Sequence, residues 1–236
     1  MSQAKNKFQS IALAWLVHLF TATGIVFGFL AILATNEADF RTAMFYLIVA
    51  AVIDGVDGTL ARRFRVKEVL PKINGSMIDT VVDFTNYAVV PTYMIYKAGI
   101  LPESLGLYLA ALILLTSASY YGKEGMVYEE KYFIGFPVLW NVVAFFCIFV
   151  FSDYLILNAI LIVVLSILHF VPLKFPYPSR PSRYQKLDLA ISALLMGTML
   201  TVIYFWPVEY VFLSWLAVVC GFYFLGMAVW NTAREA

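Results

Sequence analysis

Four aspartates stand inside segments that otherwise look membrane-spanning. Asp54 and Asp57 lie in AVIDGVDGTLARRF (51–64), and Asp79 and Asp83 in NGSMIDTVVDF (74–84). Burying a carboxylate mid-span costs roughly 3 kcal/mol on insertion scales, so four cost on the order of 10 kcal/mol. A bland explanation is that the acids snorkel to the interface or pair with neighbouring arginines. Their spacing argues against it: Asp54 and Asp57 are i and i+3, Asp79 and Asp83 are i and i+4, so each pair shares one face of its helix. Consecutive helices joined by a short loop are expected to be antiparallel neighbours. Asp54 lies about 12 Å in from Arg62 at the helical rise per residue, and the second pair opens the next helix, so both pairs fall at similar depth. Four converging carboxylates form a hard, oxygen-rich site suited to Mg²⁺ or Mn²⁺. Two such ions would offset the charge, and a paired-ion site suits in-line displacement at phosphorus.

The elements that must carry these acids are legible from composition. The chain has 236 residues, 62% of them apolar and 13% charged, which is far from a soluble composition. Apolar windows long enough to cross a bilayer fall at 10–34, 41–61, 75–97, 104–121, 135–152, 154–173, 187–206 and 208–230. The expected fold is therefore all-α: a polytopic membrane protein of about eight transmembrane helices, a single domain over 1–236. WPVE at 206–209 is the expected tight turn of the last hairpin. The first window is too long for a signal-peptide core and is expected to be a retained span. Fourteen of the sixteen Lys and Arg fall on one side if the N-terminus is cytoplasmic, leaving Arg41 and Lys97 outside. That bias predicts both termini in the cytoplasm, with the 62–72 loop beside them. The net charge of +1 gives no basis for nucleic-acid binding. Cys147 and Cys220 lie in apolar runs without metal-ligand spacing and are expected to pack as small hydrophobes.

The residues between the acids fit a ligand. Gly55, Gly58 and Gly75 are poor helix formers; close helix packing explains them singly, but within this constellation they suggest room for a ligand. Ala61 leaves further space, and Arg62 offers a planar fork suited to phosphate.

Asp54-x-x-Asp57-Gly58-x-x-Ala61-Arg62 followed by Gly75-x-x-x-Asp79-x-x-x-Asp83 resembles the signature of the CDP-alcohol phosphotransferase family. The resemblance implies transfer of a phosphoryl-linked group from a CDP-linked lipid or alcohol to a second alcohol at a membrane, with release of CMP. It implies that Asp54, Asp57, Asp79 and Asp83 form the metal centre, Asp83 also being the base that deprotonates the acceptor. Gly58, Ala61, Arg62 and Gly75 would line the nucleotide and diphosphate site, and homodimers are common in the family. The spacer RFRVKEVLPKIN (63–74) is longer than in most of the family. It is similar to that of the bacterial branch that uses CDP-diacylglycerol and free choline to make phosphatidylcholine at the inner membrane. IGFPVLWNVVAFF (134–146) and the eight-span layout also resemble that branch. Serine, glycerol phosphate and inositol are the alternative acceptors.

Two other classes compete. UbiA-type prenyltransferases also use aspartate-rich motifs and Mg²⁺, but on distant helices and without the DG-x-x-AR element. A transporter coupling ions through the acids would be expected to show inverted repeats, and none is visible. Choline is a quaternary ammonium, for which aromatic faces and nearby acids are the natural partners. SYYGKEGMVYEEKYFIGFPVLWN (119–141) concentrates both, and Tyr120, Tyr121, Glu124 and Trp140 are the candidate choline contacts, with Glu129 and Glu130 nearby. An interfacial aromatic belt is the alternative for any one of them. His18 is expected to be a hydrogen-bonded packing residue, His169 an interfacial one. PYPSRPSR (176–183) forms a basic loop expected at anionic headgroups.

Overall fold

The computed structural model describes residues 2–129, 131–208 and 210–234, with side chains from Phe8 onward. Glu130 and Glu209 lie outside the described residues, and Lys5 and Lys7 outside the described side chains. The chain is mostly helical. α1 (Ser2–Asn36) turns into α2 (Phe40–Arg63), and α3 (Val66–Val69) is a single turn within the spacer. One continuous helix then runs through α4 (Gly75–Asp83), a π-helical turn π1 (Phe84–Val89) and α5 (Val90–Lys97). α6 (Gly106–Tyr121), α7 (Trp140–Phe145) with its π-helical extension π2 (Phe146–Val150), α8 (Leu155–Leu168), α9 (Gln185–Phe205) and α10 (Val211–Arg234) complete the helices.

Among the described residues, four helices are long and apolar enough to cross a membrane: Phe8–Asn36, Phe40–Arg63, Gln185–Phe205 and Val211–Arg234, with mean hydropathies of 2.2, 1.6, 1.8 and 2.0. Gly106–Tyr121, Trp140–Val150 and Leu155–Leu168 are shorter apolar helices. The chain is thus a membrane protein with several long apolar helices.

Among the described residues the fold departs from all-α at one place. β1 (Val127–Tyr128), β2 (Tyr132–Ile134) and β3 (Lys174–Pro176) form a small antiparallel sheet in the order β1-β2-β3, with Phe133 opposite both Val127 and Phe175. Valine, tyrosine, phenylalanine and isoleucine favour strands here. Gly135, at φ +92°, stops the fifth window from starting as helix. The helix therefore begins at Trp140 rather than at 135.

Local chemistry sets the helix starts that matter. Asp39 caps α2 by accepting from Thr42 N at 3.0 Å, and Asn74 caps α4 by accepting from Met77 N at 3.1 Å. The Thr42 bonds hold the Asp39 carboxyl below its ordinary pKa. α1 packs along α2 and also meets α4 and α5. Its Gly24 and Gly28 allow that approach. A Cβ on Gly24 would stand 2.7 Å from Val82 Cγ1, and one on Gly28 would collide with Asn86 Oδ1. Asn86 Nδ2 donates to Gly24 O at 3.0 Å, tying π1 to α1. One contiguous apolar core runs from Ala31 to Ala228, and Cys147 and Cys220 are buried in it as free thiols.

The long spacer is folded. Val66 packs with Ala14 and Val17 of α1, and Leu60, Ala61, Phe64, Val69 and Leu70 close around them. This second, smaller cluster fixes the segment that joins the two acidic helices.

Candidate functional site

α2 and α4 bring three of the four acids together as the spacing predicts. Asp54, Asp57 and Asp79 each offer a ligand oxygen, and the three atoms lie within 4.8 Å of one another. Asp83 stands at the edge of this cluster, in a carboxyl–carboxyl contact with Asp54. Its Oδ1 is buried without a hydrogen-bond partner. Among the described residues no lysine or arginine forms an ion pair with any of the four. A buried acidic group without an ion-pair partner is costly, and a bound cation would offset that cost.

The donor set fits a divalent ion. Mg²⁺ binds oxygen ligands at about 2.0–2.1 Å, and three carboxylate oxygens within 4.8 Å of one another are close enough to share one such ion. The carboxylate oxygens are hard ligands of the right kind.

The remaining signature residues have distinct surroundings. A Cβ on Gly55 would meet nothing within 4 Å, and one on Gly58 would meet only Arg62 Nη1, at 3.4 Å. That face of α2 is open. Arg62 is exposed and donates to Thr59 Oγ1 at 3.1 Å. Ala61 packs towards the spacer cluster. Gly75 has a packing reason of its own, because a Cβ there would stand 2.7 Å from His18 Cε1. His18 is buried as expected, but its Nε2 has no hydrogen-bond partner among the described residues.

Two residues went unnoticed in the sequence. Thr21, one turn beyond His18 on α1, is within hydrogen-bonding reach of Asp57. Tyr87 O–H donates to Asp54 Oδ2 at 2.8 Å. The spacing Asp79-x-x-x-Asp83-x-x-x-Tyr87 was the available signal for the second.

The four candidate choline contacts do not converge. Trp140 is fully buried, with its Nε1–H donating to Ser117 Oγ at 2.8 Å. Tyr120 and Trp140 both face His169, with ring centroids 5.2 and 5.7 Å away. Phe136 closes the same group at 5.4 Å. The imidazole packs against all three rings. Glu124 is exposed in the turn after α6. Tyr121 differs: it packs edge-on against Phe84 at 5.7 Å and lies within electrostatic reach of Asp83, Asp54 and Asp79.

His169 is fully buried within the protein, donating from Nδ1 to Phe136 O at 2.6 Å. The segment 135–139 folds back onto the end of α8, which a linear reading of spans does not anticipate. In the PYPSRPSR segment, Arg180 lies over the Tyr177 ring at 5.5 Å, and Ser182 Oγ donates to Asp188 at 3.4 Å.

α2 and α4 thus hold an acidic cluster with an open small-residue face and the Arg62 guanidinium nearby. The family model for CDP-alcohol phosphatidyltransferase matches residues 12–171, and the chain belongs to that family. The match takes in α2, α4 and all four aspartates, and removes the prenyltransferase and transporter alternatives. Among curated relatives, the chain is similar to the phosphatidylcholine synthase of Pseudomonas aeruginosa, 34% identical over 224 residues, 95% of this chain and 94% of that protein. It is also similar to the phosphatidylcholine synthases of Mesorhizobium japonicum (37% identical; 78% of this chain, 68% of that protein) and Agrobacterium fabrum (38%; 77% and 75%).

Proposed function

We propose that this chain transfers the phosphatidyl group of CDP-diacylglycerol to choline, yielding phosphatidylcholine and CMP. The observation that carries the reading is the Asp54–Asp57–Asp79 oxygen cluster with Asp83 at its edge, in a chain aligned over 95% of its length with a phosphatidylcholine synthase.

The chemistry follows from the residues. Two divalent ions, Mg²⁺ or Mn²⁺, when bound by the four aspartates, would stabilise the charge on the oxygens around the reacting phosphorus. Asp83 Oδ1, buried and without a partner, accepts the hydroxyl proton of choline. The freed oxygen forms a bond to the phosphorus that carries diacylglycerol, and the bond from that phosphorus to CMP breaks. Arg62, exposed at the end of α2, holds diphosphate oxygens, while the open face at Gly55 and Gly58 receives the nucleotide, bounded by Ala61 and Gly75. Tyr121, beside Asp83, is the retained candidate for the trimethylammonium group. Glu124 is free to approach from its turn, whereas Tyr120 and Trp140 act through packing.

The reading extends to the whole chain. It is a single domain over 1–236, supported by one apolar core that reaches from Ala31 to Ala228. It spans a bacterial inner membrane about eight times with both termini cytoplasmic, supported by the Lys and Arg bias and by a helical segment in each of the eight apolar windows. The active site faces the cytoplasm, and the protein works as a homodimer, as the family resemblance implies.

The test is direct. Purified protein in lipid nanodiscs receives CDP-diacylglycerol, Mn²⁺ and labelled choline, and labelled phosphatidylcholine with equimolar CMP is expected. Faster turnover with serine, glycerol phosphate or inositol overturns the choline assignment. No transfer to any alcohol overturns the activity itself.

A further inference from the structure

Tyr87 closes on the acidic cluster from the α4–α5 helix. Its hydroxyl donates to Asp54 Oδ2 at 2.8 Å across 33 residues of sequence. The π turn over Phe84–Val89 accounts for its placement. Along an uninterrupted α-helix each residue turns about 100°, so Tyr87 would stand about 80° around from Asp79. Through a wider i→i+5 turn each residue turns only about 80°, which brings Tyr87 back to within about 10° of the Asp79 face. Asp79, Asp83 and Tyr87 thus form one row on the helix, and Asp54 faces that row from α2.

Asp54 needs such a partner. Its carboxylate can swing about two side-chain torsions, and no Lys or Arg among the described residues pairs with it. Together with the carboxyl–carboxyl contact to Asp83, the Tyr87 donor from the neighbouring helix selects one orientation. Each carboxylate oxygen carries two lone pairs, so the bond to Tyr87 occupies one of four and leaves others for an ion. Groups that hydrogen-bond to metal ligands orient them and set metal affinity.

We infer that Tyr87 is a positioning residue of the metal centre, holding Asp54 in the orientation that lets it ligate together with Asp57 and Asp79. The inference rests on the reading of the aspartates as metal ligands. It requires that the hydroxyl, rather than the ring, be what matters.

Tyr87→Phe removes only the hydroxyl. Mn²⁺ binding to purified protein without substrate, read from the paramagnetic resonance signal of unbound Mn²⁺, is expected to weaken about 10–100-fold. The Mn²⁺ activation curve should shift in parallel, with turnover largely recovered at saturating Mn²⁺ and the choline KM unchanged. Tyr93→Phe serves as control, because Tyr93 O–H lies 3.4 Å from Asn36 Oδ1, two turns further along the same helix; its Mn²⁺ affinity should match wild type. If Tyr87→Phe does not purify folded, Tyr87→Gln, which retains a donor, is compared with Tyr87→Met, and the glutamine protein should bind Mn²⁺ more tightly. Wild-type affinity in Tyr87→Phe, or equal affinity in the Gln and Met proteins, overturns the inference. So does turnover lost at saturating Mn²⁺ with affinity intact, which would place the hydroxyl in the chemistry itself. Asp54→Asn separates the two levels of the argument. If wild type binds Mn²⁺ and Asp54→Asn does not, an unaffected Tyr87→Phe sinks the tyrosine alone. If wild type binds no Mn²⁺, the reading of the site falls with it.

Discussion

At Asp54, Asp57 and Asp79 the predictions concern charge rather than shape. Replacing any of the three by Asn preserves volume but removes a carboxylate from a cluster whose oxygens lie within 4.8 Å. Transfer activity should nearly vanish in each variant, and excess chelator should do the same to wild type, reversed by Mg²⁺ or Mn²⁺. Full turnover in chelator would rule out the metal mechanism. Asp83 should behave differently, because its free Oδ1 suits it to take a proton. Loss of a general base lowers rate by about 10²–10⁴, so Asp83→Asn should retain CDP-diacylglycerol binding while turnover falls by that order. Tyr121→Ala tests the acceptor end. A cation–π contact contributes about 0.5–2 kcal/mol, so the choline KM should rise several-fold while that for CDP-diacylglycerol stays put. An unchanged choline KM would move the ammonium away from Tyr121.

Among the elements, two close approaches decide whether the acidic helices sit in register. Gly28 faces Asn86 so tightly that a methyl group there would overlap the amide oxygen. Gly28→Ala should therefore push α1 from the π turn and lower the melting temperature of the solubilised protein. Gly135 is more demanding: it sits at φ +92°, and a Cβ would run into the His169 carbonyl oxygen. Backbone conformations of that kind cost an ordinary residue about 1–3 kcal/mol, before any displacement of the His169 group. Gly135→Ala should be the more destabilising of the two by thermal melt, and equal melting temperatures would contradict the packing argument. The spacer was seen in the sequence only as unusual length. Its role, burying Val66 between Ala14 and Val17, depends on a first helix that lies almost fifty residues earlier.

For the molecule as a whole, the testable quantity is topology. The two native cysteines are buried, so single cysteines introduced at exposed loop positions can be labelled selectively with a membrane-impermeant reagent. Sites near Lys67 and Arg180 should react only from the cytoplasmic side, and sites near Ala38 and Glu103 only from the opposite side. Reaction of both sets from one side would refute the eight-span arrangement. The helical segments short of a full span, α6, α7 with π2, and α8, are where that arrangement is most exposed to test. They also contribute to the shared core, through Ile113, Trp140, Phe145 and Ile162.

Local and short-range physics made much of this protein readable before any fold was known. Membrane class follows from composition, and two acid pairs on consecutive helices follow from spacings of three and four residues. These are properties of a helix considered alone, or of two neighbours joined by a short loop. What needed the tertiary structure involves partners distant in sequence. Aromatic composition alone marked Tyr120 and Trp140 for a cation, but the chain folds His169, from the far end of α8, into the space between them. The small sheet depends on Phe175 meeting Phe133 across forty-two residues. The π turn carries Tyr87 round onto the Asp79 row, where it meets Asp54 from a helix 33 residues earlier in sequence. Spacing can specify which side chains share a face. Only packing decides what that face meets.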